Sequence, residues 1–127
     1  MTDRELARVC YEANRAIGLA LGEADLPHWE DAEAAERRAW VEVTAWLRID
    51  PTRPVEALHA YWLGVEKALG WSWGPELDNA RKRHPHHVPW HALPRVQRTK
   101  IDLHRAIVRT VLGRMGVEPC NESPDQT

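Results

Sequence analysis

The chain has 127 residues and a formal net charge of -2, from 17 basic and 19 acidic side chains. Its 43% hydrophobic and 28% charged content fits one soluble globular domain, long enough to fold without a disulfide or a metal, and excludes long disorder. The absent basic excess disfavours bulk nucleic-acid binding, and no apolar run approaches the ~18 residues of a membrane span.

Thr2-Asp3-Arg4-Glu5 reads as a capping box, with Thr at the cap and Glu three later. Leu6, Cys10, Ala13, Ile17 and Ala20 then recur at helical spacing, and Gly22 stops the pattern. A loop from Glu23 to Glu30 carries Pro27 and Trp29. Asp31 is expected to cap a second helix reaching about Leu47, ended by Asp50-Pro51. Pro54 opens a third helix whose buried face is Val55, Leu58, Trp62, Val65 and Leu69, and Gly70 closes it. Pro94 opens a fourth, with Val96, Leu103, Ile107 and Val111 on one face. The tail 117–127 is polar and expected to fray.

Between helices three and four lies the segment GWSWGPELDNARKRHPHHVPWHALP, residues 70–94. Four of the nine prolines fall in it, so no helix can run through it. The expected fold is therefore mainly α: a four-helix single domain over residues 1–116, with an irregular, short β-hairpin-like insertion between helices three and four. Irregular segments of this length inside a compact domain are usually functional.

The aromatic content is seven Trp, two Tyr and no Phe. Trp offers a flat π-face and one N–H donor. Trp71 and Trp73 are two apart, so an extended backbone would point them the same way. Asp78, Arg81, Lys82, Arg83 and His84 follow. Paired Trp beside cations suits a planar ring attached to phosphate. Each residue also has a purely structural reading. The Trp pair can be core, Lys82 and Arg83 a solvated charge run, and Asp78 the cap of its own turn. Asn14, unfavourable in mid-helix, implies a specific hydrogen bond. Trp29, in a polar loop, is expected to form an exposed wall.

Other chemistries find less support. Cys10 and Cys120 form no CxxC motif, and Cys10 lies on an apolar stripe, so its thiol is expected to be inert. The N-terminus carries no secretion signal, so a cytoplasmic protein with reduced thiols is expected. His84, His86, His87 and His91 cluster, but Pro89 interrupts them and no carboxylate stands at zinc-like spacing. Ser72 and Ser123 lack a nucleophile-elbow context, and no glycine-rich phosphate loop precedes a helix. No catalytic residues, cofactor or metal are therefore expected. The Arg81-Lys82-Arg83 cluster alone would point to nucleic acid, against the overall charge.

The central block resembles the repeat of ryanodine receptors, the RyR domain. The residues are Gly70-Trp71-x-Trp73-Gly74-Pro75, Asp78, and Lys82-x-His84-Pro85-x-x-Val88-Pro89-Trp90-x-x-Leu93-Pro94, with His59 and Trp62 upstream. Arg8-Val9-Cys10, Asn14-Arg15-Ala16 and Pro27-x-Trp29-Glu30-Asp31-Ala32 are similar to single-repeat proteins of phages and actinobacteria. The similarity spans residues 8–112. Trp73 and Trp90 replace family Tyr, Ala60 replaces an acid, Glu66 a cation and Tyr11 a His. The resemblance implies a non-enzymatic binding domain for a nucleotide-like small molecule, in a phage–host setting. Trp71, Trp73, Asp78, Lys82 and His84 would form the site, with Asn14 and Trp29 completing it. The other open reading is a protein-interaction module or homodimer built on the Trp-rich surface.

Overall fold

The computed structural model describes residues 1–114. The expected tail, the 116 boundary and Cys120 lie outside the described residues. Four helices form the frame: α1 (Asp3–Ala20), α2 (Ala34–Ile49), α3 (Val55–Ala68) and α4 (Arg95–Arg114). Between α3 and α4 sit two short strands, β1 (Ser72–Trp73) and β2 (Arg83–His84). The architecture is thus mainly helical with a short β insertion where the proline run placed it.

The capping box forms in full. The Glu5 N–H donates to Thr2 Oγ1 at 3.0 Å and the Thr2 N–H to Glu5 Oε1 at 2.7 Å. At the far end Gly22 adopts φ +89°, which only glycine takes without strain. Pro54 stands just before α3, and Gly70 follows it at φ +98°.

The start of α2 departs from expectation. Asp31 does not cap it; Trp29–Asp31 form a 3-10 turn, and the helix begins at Ala34. The cause lies in side-chain bonds to the turn, one of them from α1. Arg37 Nη1 donates to the carbonyls of Trp29, Glu30 and Ala32, and Glu12 Oε2 accepts the Trp29 N–H at 2.7 Å. These bonds hold the chain in a turn where local pattern favoured a helix.

The core joins all four helices: Leu6 and Cys10 from α1, Val43 and Leu47 from α2, Leu58 and Val65 from α3, Val108 and Leu112 from α4. Each such side chain contributes roughly 1.5–3 kcal/mol on burial. Tryptophan fills the space between helices. Trp40 meets Tyr11 at 5.5 Å and Trp62 at 5.0 Å, both edge to face, a favoured aromatic geometry. Trp46 stacks on Tyr61 at 4.3 Å, with the Arg53 guanidinium 4.1 Å from its ring. Polar ties set the helix ends. Arg48 reaches Asp3 at 3.1 Å, and Lys100 and Gln97 reach Glu23 at 2.8 and 2.6 Å. α1 therefore runs antiparallel to both α2 and α4.

Burial also sets the chemistry of two side chains, Cys10 as its apolar stripe predicts and His104, which sequence left open. Cys10 is fully buried, and desolvation pushes its thiol up to about 12, so it is not a nucleophile. His104 is 1% exposed and its Nε2 lies 3.0 Å from Thr44 Oγ1. Burial lowers its pKa to about 4, so it is neutral at pH 7.

Candidate functional site

The insertion is built from backbone outward. Gly70 turns the chain, and the Trp71 N–H closes α3 on the Glu66 carbonyl at 3.0 Å. β1 and β2 then pair parallel, Ser72 with Arg83 and Trp73 with His84. The pairing within the insertion is thus parallel where a hairpin was pictured. A tight antiparallel turn is nested between the strands instead. Asp78 and Arg83 exchange N–H···O bonds at 2.9 and 3.0 Å. Gly74 is required where the strands approach, since a Cβ there would lie 2.7 Å from Arg83 Cβ.

Two predicted ligand residues are occupied by this turn. The Asp78 carboxylate accepts the Arg81 N–H at 3.1 Å, capping its own loop. Lys82 takes φ +58°, rare for a side chain of its size, and its Nζ donates to the Leu69 carbonyl at 2.7 Å. That ammonium sits at the C-terminus of α3, where the helix dipole favours a cation. Lys82 therefore caps α3 with one of its three ammonium protons while its side chain stays exposed.

Behind the strands lies a layer of imidazoles. Trp71 is half-buried and stacks on His87, centroids 6.3 Å apart and planes 27° apart, with His84 edge-on at 6.3 Å. His84 is 4.9 Å from His86 and 6.0 Å from His87. Burial and the neighbouring histidines lower His84 to about 4, so it is neutral at pH 7. Its Nδ1 accepts the His86 N–H at 3.0 Å, which leaves the ring proton on Nε2 as a donor. His87 Nε2 lies 3.4 Å from Glu66 Oε1. Burial raises the Glu66 pKa and lowers that of His87, so both are drawn toward their neutral forms. His59 Nε2 donates to the Val88 carbonyl at 2.6 Å, pinning the distal half of the insertion to α3.

The two strand-side tryptophans part company. Trp71 packs against the imidazoles, whereas Trp73 is 55% exposed. Trp71 is committed to the histidines, and Trp73, opposite His84 in the pairing, is left to solvent. Arg81 and Arg83 are exposed on the nested turn; Arg81 lies 3.9 Å from Asp78, and Arg83 donates to the Arg81 carbonyl at 2.9 Å.

The two N-terminal candidates lie elsewhere. Trp29 is 3% exposed, which overturns its reading as an exposed wall. It packs edge-on to Tyr11 at 5.6 Å, and the Tyr11 hydroxyl donates to the Pro27 carbonyl at 2.6 Å. Its polar sequence neighbours concealed an aromatic anchor supplied by α1. Asn14 is buried and does make a specific bond, but within its own helix, to the Cys10 carbonyl at 3.1 Å. The structure thus brings Trp71 and His84 together, adds His87 and Glu66, and sets Trp29 and Asn14 apart. His87 had been weighed only as a metal ligand and Glu66 only as a departure from the family pattern. No local sequence signal marks them, because His87 meets Glu66 and Trp71 only through the fold of the insertion.

Among the described residues no three His, Cys, Asp or Glu side chains converge as a metal site. Among them, too, no helix is long and apolar enough to cross a membrane. Comparison with protein-family models, with curated proteins and with solved structures finds no match to this chain.

Proposed function

We propose that the chain is a non-enzymatic binding domain of the ryanodine-receptor-repeat type, holding a nucleotide-derived ligand on its insertion. The observation that carries this reading is Trp73. Its ring is 55% exposed although its backbone is pinned in the β1–β2 pairing and its neighbour Gly74 is wedged against Arg83. A fixed, solvent-facing indole is a ready platform for a base, and one such stack is worth roughly 1–3 kcal/mol. Arg81 and Arg83 supply guanidinium groups for phosphate oxygens. Neutral His84 supplies an Nε2–H donor. Trp71, Asp78 and Lys82 position this surface. Such a domain suits capture of a host nucleotide signal by a phage protein.

Titration calorimetry with adenine and guanine nucleotides, adenosine diphosphate ribose, nicotinamide dinucleotide and cyclic dinucleotides tests it. Saturable binding by one class is expected, weakened about tenfold or more in Trp73→Ala with the helical circular dichroism unchanged. An intact, folded chain that binds none of them contradicts the reading.

A second reading rests on Leu77, as exposed as Trp73 at 55% on the same insertion. An exposed Trp–Leu pair fits a protein hot spot, including a second copy of this chain. A concentration-dependent dimer by light scattering, abolished by Trp73→Ala, would favour it.

A further inference from the structure

Away from the insertion, an open notch of about 290 Å³ lies between the start of α1 and the 3-10 turn, lined by Arg4, Glu5, Arg8, Trp29, Glu30 and Arg37. We infer that this notch is a second binding site, for a phosphate group, gated by Glu30.

The charges are unevenly committed. Glu5 is held by the capping box, its carboxylate bonded to the Thr2 N–H, and this bond keeps its pKa low. Arg37 spends one nitrogen, Nη1, on three carbonyls of the turn, leaving Nε and Nη2 without a protein acceptor among the described residues. Among the described residues Arg8 is paired only with Glu30, at 2.6 Å, and both side chains are more than half exposed. Arg4 has no carboxylate partner among the described residues; its guanidinium instead lies 5.7 Å from the centroid of Trp29. The guanidinium groups of Arg4, Arg8 and Arg37 thus line one notch together with the Glu30 carboxylate, which Arg8 alone meets among the described residues.

An exposed ion pair of this kind is weak and exchangeable. A phosphate dianion brings more charge and more acceptor oxygens than the Glu30 carboxylate. It can take two N–H bonds from one guanidinium while reaching a second. Glu30 would swing out and phosphate would take its place against Arg8 and Arg4, with buried Trp29 as a rigid floor. The notch holds about ten waters' volume, which is more than a phosphate ion needs, so a small phosphomonoester also fits. This site shares no residue with the insertion, and its fate is independent of the nucleotide reading.

The probes are inorganic phosphate and phenyl phosphate, titrated into the full chain by nuclear magnetic resonance. The readouts are the Arg side-chain Nε–H and Trp29 indole signals. Saturable shifts confined to the notch are expected. Arg8→Ala or Arg4→Ala should weaken binding about tenfold; both residues are exposed, so the fold persists. Glu30→Gln should strengthen it several-fold, because the internal competitor is gone. Tighter binding of phenyl phosphate than of inorganic phosphate would assign the site to phosphomonoesters, and the reverse order to the free ion. Signals that do not move, or a Glu30→Gln chain that binds phosphate no better than the parent, would overturn the inference.

Discussion

Trp40 and Trp73 are the same residue type in opposite circumstances. Trp40 sits between α1, α3 and α4, touching Tyr11, Trp62 and His104. Trp73 stands on a two-residue strand with over half its surface in water. In the bundle the indole joins helices; on the insertion the backbone is organised and the indole is left over. The difference separates packing from recognition. Where side chains hold the backbone, an aromatic residue is part of the fold. Where the backbone is held by its own hydrogen bonds and by Lys82, Gly74 and His59, the aromatic residue is free to meet something else.

The sharpest way to break the comparison is to remove each ring. Trp40→Ala should cost about 3–5 kcal/mol by chemical denaturation, as expected for a large aromatic lost between helices. Trp73→Ala should change stability by less than about 0.5 kcal/mol. Equal costs would mean that the insertion is as much a packing element as the bundle.

Acid should come next. His104 and His84 both have folded pKa values of about 4, below the ordinary 6.5. Between these values the unfolded chain binds more protons than the folded one, so stability is present above pH 6.5 and falls as pH drops toward 4. For fully buried His104 the loss is on the order of 3 kcal/mol. Among the described residues its Nδ1 has no hydrogen-bond partner, and its one side-chain hydrogen bond is to the neutral Thr44 hydroxyl. Denaturation of the parent and of His104→Gln from pH 7 to 4 should show a slope smaller by about one proton in the variant.

A smaller effect is expected at Gly74. The Ala variant must push Arg83 aside, at a cost of about 1–3 kcal/mol confined to the insertion. Hydrogen exchange should speed up at the Ser72 and Gly74 amides, which bond to Lys82 and His84, and stay slow in α1 and α4. The smallest is Lys82→Ala, which removes the α3 cap for about 0.3–1 kcal/mol. Lys82→Gly should cost less, because it loses the same cap but relieves the φ of +58°.

What could be read from sequence follows from which contacts are local. The capping box at Thr2, the glycine stops at Gly22 and Gly70, and Pro54 and Pro94 are short-range signals, and three helices fell where they pointed. The start of α2, at Ala34, was fixed by Glu12 from α1 and by Arg37 folding back on the turn before it, and no capping pattern carries that. The same holds for Trp29. Its neighbours are polar, and only the Tyr11 ring from α1 explains its burial. Within the insertion the proline run excluded a helix. The parallel register of β1 and β2 and the left-handed Lys82 depend on the nested turn, which propensity does not specify. Asp78 followed its short-range tendency to cap its own loop.

The indole N–H resonances of the seven tryptophans offer the most direct measurement of the central claim, that recognition belongs to the insertion and packing to the bundle. During a nucleotide titration the Trp73 signal should move most and Trp71 less. Trp40 and Trp62 should stay fixed. Movement led by Trp40 or Trp62, or no movement at any indole under nucleotide saturation of the panel, would contradict that division.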